Sequence, residues 1–69
     1  MSDDDAPGRH RKAAESHDEA AQRHDQAAQN WTARGDSERA ELETRNADIE
    51  RLAAKLERDR ADFAERQTD

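Results

Sequence analysis

From residue 9 to residue 31 the chain repeats a seven-residue phrase. RHRKAAE, SHDEAAQ and RHDQAAQ are followed by the altered copy NWTARGD. His10, His17, His24 and Trp31 therefore fall at one heptad position, and each histidine is followed three and four residues later by an alanine pair, Ala13/Ala14, Ala20/Ala21 and Ala27/Ala28. Residues at those spacings share one face of a helix, so the pattern predicts an amphipathic helix over about 9–34.

A second heptad phrase follows as AELETRN, ADIERLA, AKLERDR and ADFAERQ. It sets Leu42, Ile49, Leu56 and Phe63 at one position and Ala40, Ala47, Ala54 and Ala61 two residues before them. This predicts a second helix over 37–66. Between the two lies Gly35-Asp36-Ser37, which reads as a glycine C-cap followed by an N-cap, with a turn at 35–37.

The expected fold is all-α, an antiparallel two-helix hairpin. Because both helices rise equally per residue, folding back between Asp36 and Ser37 would set Trp31 opposite Leu42, His24 opposite Ile49, His17 opposite Leu56 and His10 opposite Phe63. Ala20 and Ala21 would meet Leu52 and Ala53 in the most apolar stretch. The expected core and interface set is thus Trp31, Leu42, Ile49, Leu52, Leu56, Phe63, Ala20, Ala21 and Ala53. The row Ala40 to Ala61 lies on the other side of the second helix. Exposure is its default reading, alanine being the best helix former, and a second close-packed contact is the alternative.

Composition changes this picture in one respect. Of 21 hydrophobic residues 14 are alanine, so large side chains are few. In a chain of 69 residues one core rarely supplies more than about 3–5 kcal/mol. With no cysteine, no disulfide can help. A homo-oligomer, two hairpins forming a four-helix bundle, is therefore expected to cover the Trp/Leu/Ile/Phe row.

Charged residues make up 43% of the chain, with a net charge of −6 and no basic cluster. Nucleic acid is thereby disfavoured as a partner. No apolar run approaches the ~20 residues that span a bilayer, so no membrane association is expected and a cytoplasmic location follows. Residues 1–8, with Asp3, Asp4 and Asp5 ahead of Pro7-Gly8, are expected to form a disordered acidic tail whose aspartates are merely solvated. Residues 67–69 are expected to fray.

The histidine row raises three readings. Successive imidazoles lie about 10.5 Å apart along a helix, too far to share one ion, so His10, His17 and His24 are candidate metal ligands only where chains bring them together. As a pH switch, histidines kept neutral by burial beside Ile49, Leu56 and Phe63 would charge near pH 6 and loosen the fold. The blandest reading makes them half-buried spacers in an alanine-lined seam. Trp31 reads as a core plug ahead of a recognition anchor. No phosphate loop, nucleophile elbow or His-Glu-x-x-His is present, so neither enzyme activity nor a cofactor is expected.

The stretch AAESHDEAAQRHDQAAQNWTARGDSERA resembles small bacterial His-x-x-Ala-Ala repeat proteins, in which such repeats lead to an aromatic residue, a Gly-Asp turn and a second Ala-rich helix. The likeness covers about half the chain. It implies a non-enzymatic helical protein, with a stress association for some members. This sequence departs from them in carrying single histidines in place of paired ones and a Leu/Ile/Phe row in its second helix. The functional expectation is a self-associating coiled-coil module with a structural or protein-interaction role. The alternatives are a hydrophilic stress protein, histidine-mediated metal binding between chains, and pH sensing.

Overall fold

A computed structural model describes residues 5–67 as two long helices, α1 (Ala6–Ala33) and α2 (Ser37–Arg66), packed side by side in a body of 54 × 19 × 10 Å. No strand occurs among the described residues. The expected hairpin is present, and α2 has the expected bounds.

Helix α1 begins at Ala6, three residues before the expected start at Arg9, so residues 6–8 leave the expected tail and join the helix. Asp5 is the N-cap. Its carboxylate accepts the Gly8 N–H at 3.1 Å and its carbonyl accepts the Arg9 N–H at 3.0 Å. Pro7 is harmless in the first turn, where its missing N–H would have had no partner inside the helix. The rest of the expected acidic tail, 1–4, and the C-terminal pair 68–69 lie outside the described residues.

The connection contains almost no free chain. Gly35, at φ 81°, closes α1: its N–H donates to the Thr32 carbonyl at 3.0 Å, and the Asp36 N–H donates to the Trp31 carbonyl at 2.9 Å. This is the glycine-closed helix end in which two orphan carbonyls are satisfied at once. Asp36 then starts α2 by accepting the Arg39 N–H on its side chain at 3.0 Å and the Ala40 N–H on its carbonyl at 3.1 Å. A Cβ at Gly35 would meet no atom within 4 Å, so only the left-handed backbone opposes a side chain there. Gly35→Ala is expected to cost about 1 kcal/mol, read as a lower midpoint in thermal melting followed by circular dichroism.

The seam runs along two ladders with alternating four- and three-residue steps. On α1 it follows His10, Ala14, His17, Ala21, His24, Ala28 and Trp31; on α2 it follows Ala40, Glu43, Ala47, Glu50, Ala54, Glu57, Ala61 and Ala64. Six alanines form the buried core: Ala14, Ala21, Ala40, Ala47, Ala54 and Ala61. Ala20 and Ala53, expected at its centre, sit half-buried at its edge.

Helix α2 is thus turned roughly half a revolution from the expected orientation. Its alanine row faces α1, and Leu42, Ile49, Leu52, Leu56 and Phe63 point outward at 53%, 61%, 68%, 49% and 57% exposure. These five residues form no intrachain core, and the expected layers of His24 on Ile49, His17 on Leu56 and His10 on Phe63 do not form. Small side chains on both helices let the backbones approach closely, so dispersion along the whole seam replaces a few large contacts.

Candidate functional site

Two features stand out on this scaffold: a polar ladder inside the seam and an apolar stripe outside it.

The seam ladder consists of three histidine–glutamate pairs. His10 Nδ1 meets Glu57 Oε1 at 2.6 Å, His17 meets Glu50 at 2.6 Å and His24 meets Glu43 at 2.7 Å. The pairs step by seven along α1 and by minus seven along α2, as antiparallel heptads require. An ionised carboxylate only accepts, so Nδ1 carries the proton in each pair and donates it, leaving Nε2 free to take a second. The histidine side chains are about a third exposed, at 33%, 38% and 33%.

A second ladder lies one residue further along each helix. Arg11 pairs with Glu65 at 2.6 Å, Arg58 with Asp18, and Arg51 with Asp25 at 2.9 Å. Arg51 also holds Asp48 at 2.7 Å, and these two carboxylates, Asp48 first, make its guanidinium harder to deprotonate than usual. Arg11 is held in the same direction, chiefly by its hydrogen bond to Glu65. The two ladders bracket the alanine core and fix the axial register, because slipping either helix by one turn would break every pair together.

Among the carboxylates, Glu57 sits below its ordinary range. The main cause is the hydrogen bond from His10; burial opposes it, and the Arg60 charge at 3.0 Å adds to it. Glu57 is also the best covered glutamate of the three, with 15% of its side chain exposed.

These observations change the reading of the histidines. Their neighbours across the seam are glutamates, where the sequence suggested Ile49, Leu56 and Phe63. Each imidazole thus faces a carboxylate across the seam in place of an apolar wall. No group of three or more His, Cys, Asp or Glu side chains converges to hold a metal ion among the described residues. The signal for this ladder was in the sequence: Glu43, Glu50 and Glu57 recur every seven residues, in step with the histidines. Hydrophobic size drew attention to the wrong face.

Trp31 is half-buried at the turn end of the seam. The Arg34 and Arg39 guanidiniums lie 4.7 and 4.6 Å from its ring centroid. Arg39 reaches across from α2, so the ring joins the helices through cation–π contact, where the sequence placed Leu42 opposite it.

The outer stripe of α2 has its own three-and-four spacing: Leu42, Arg45, Ile49, Leu52, Leu56, Asp59, Phe63 and Arg66, all exposed. A single helix therefore carries two heptad seams on opposite faces, one filled by α1 and one open. A shallow groove also lies between Arg11, Glu15, Arg58, Ala61 and Asp62, walled by charge. Among the described residues no helix is long and apolar enough to cross a membrane.

No protein-family model, curated protein or solved structure matches this chain. Function must be argued from the two faces of α2.

Proposed function

We propose that the chain is a non-enzymatic, self-associating helical-hairpin module with a structural or protein-interaction role, and that two hairpins join through α2 into a four-helix bundle. One observation carries this reading: every large aliphatic residue among the described ones, and Phe63, lies at least half exposed, or close to it, along one face of one helix. Scattered exposed apolar residues are ordinary, but a continuous stripe along a helix marks a contact surface. At roughly 100 Å² each, five such side chains from each of two copies approach the ~1,000 Å² that a specific interface needs.

The intrachain seam supports the same conclusion from the other side. Its core is alanine, which buries little area per residue, so burying the stripe in an assembly would add what the hairpin alone lacks. The metal alternative gains no comparable support, because no three His, Cys, Asp or Glu side chains converge among the described residues of one chain.

Analytical ultracentrifugation at micromolar concentration tests the proposal. The wild-type chain should sediment at twice the chain mass, and Ile49→Gln/Leu56→Gln should weaken the dimer at least a hundredfold, since each buried aliphatic side chain contributes about 1.5–3 kcal/mol. The variant should stay helical, because neither residue touches the α1 seam. A wild-type chain that sediments as a folded monomer would reject self-association.

A further inference from the structure

The inference concerns how a second copy is seated, and it rests on the self-association proposed above. We propose that α2 of a second copy packs antiparallel on the outer stripe of α2, about a twofold axis passing close to Leu52.

The order of residues in the stripe sets this orientation. Leu42, Ile49, Leu56 and Phe63 occupy one heptad position, and Glu38, Arg45, Leu52, Asp59 and Arg66 occupy the other. The second series reads acid, base, leucine, acid, base. Reversed about Leu52 and laid on itself, it brings Leu52 beside its own copy, Arg45 within reach of Asp59, and Glu38 within reach of Arg66. The same reversal puts Ile49 beside Leu56 and Leu42 beside Phe63. Every charge in the seam meets its opposite, and every large apolar side chain meets another.

A parallel pair in register does the reverse. It opposes Arg45 to Arg45, Asp59 to Asp59, Glu38 to Glu38 and Arg66 to Arg66, all in the middle of the contact. The flanking row Glu41, Asp48, Lys55 and Asp62 points the same way. Antiparallel packing sets Asp48 against Lys55 and leaves one unfavourable pairing, Glu41 with Asp62; parallel packing turns this row toward Asn46, Ala53, Arg60 and Gln67 of the other copy, where Lys55 meets Arg60 and no acid meets a base. Charged residues at core positions of a helical seam are known to specify orientation and register at some cost in stability.

In the hairpin two of these charges are held by neighbours on their own helix. Arg45 holds Glu41 at 2.8 Å and Lys55 holds Asp59 at 3.0 Å, each one helical turn away and exposed. Both pairs can open or extend to a neighbour at little cost. Ala53, next to Leu52 and half-buried, leaves room for two backbones to approach at the axis.

Two measurements on the full chain test the arrangement. Since the protein has no cysteine, Ser37→Cys offers a single site for a spin label near the turn. Electron–electron resonance between copies should then give a separation of about 45 Å, because thirty residues of helix divide the two turns along the axis. Separately, Arg45→Glu and Asp59→Arg should each weaken the dimer about tenfold in sedimentation, and combining them should restore it to within about threefold of wild type. Labels within about 20 Å would overturn the antiparallel arrangement while leaving self-association intact. Failure of the double variant to recover, with helicity retained, would overturn the Arg45–Asp59 register. A wild-type chain that never dimerises would remove the parent proposal as well.

Discussion

Ala47→Leu should melt at a lower temperature than the wild-type chain, although it adds apolar surface and keeps a good helix former. Ala47 and Ala54 have no exposed surface at all, and both sit at the middle of the α1–α2 seam. A leucine there has no void to enter, so α2 must back away from α1 along several turns. Overpacking of this kind costs about 1–3 kcal/mol, which in a domain this small corresponds to a drop of roughly 4–8 °C per kcal/mol. The cost extends beyond the substituted layer, since His17–Glu50 and His24–Glu43 flank Ala47 and span the same gap at 2.6 and 2.7 Å. Thermal melts by circular dichroism, made at one protein concentration so that association does not confuse the comparison, give the sign. A rise in midpoint would show that the seam has room to spare and that close approach of the backbones is not what holds it.

The second large effect is expected in acid. Glu57 titrates below its ordinary value, held there first by the hydrogen bond from His10 and then by the charge of Arg60. A carboxylate depressed in the folded state stabilises it above the unfolded value, near 4.3, and that contribution disappears as pH falls through the folded value. The thermal midpoint should therefore hold from pH 7 to 5 and fall as pH drops below about 4. Cooperative loss of helix over that upper interval would contradict the pairing seen here. Glu57→Gln should remove the acid-dependent fall, and an unchanged profile would reject the assignment.

Sequence alone was enough for the elements and their connection. Heptad phrases announced both helices, and Gly35-Asp36-Ser37 announced the reversal, because left-handed glycine and an aspartate cap are local chemistry that the neighbouring residues specify. The start of α1 was less legible: Pro7 and Gly8 look like breakers, and only the capping by Asp5 shows that they sit where a helix tolerates them. The choice of face was misread for a deeper reason. Ranking positions by hydrophobic size favours Leu42, Ile49, Leu56 and Phe63 as the inner row, whereas burial in this hairpin follows smallness. Ala40, Ala47, Ala54 and Ala61 have high helix propensity wherever they stand, so propensity could not reveal that they face inward. What distinguishes the two faces is long-range: Glu43, Glu50 and Glu57 complement the histidine row only once the chain has folded back. Their seven-residue recurrence was visible in the sequence, but laying the helices together by hydrophobic size put Ile49, Leu56 and Phe63 where these glutamates belong.

The closed turn at Gly35 and Asp36 also sets a direction for assembly of the hairpin. With one residue ending α1 and capping α2 in the same position, the first cross-helix contacts form with almost no chain to immobilise, and each later layer adds to a growing zipper. Strength of closure should then grade along the molecule. The turn would be the last part to open and the His10–Glu57 end the first, so fluctuations concentrate at the end of the hairpin away from Gly35.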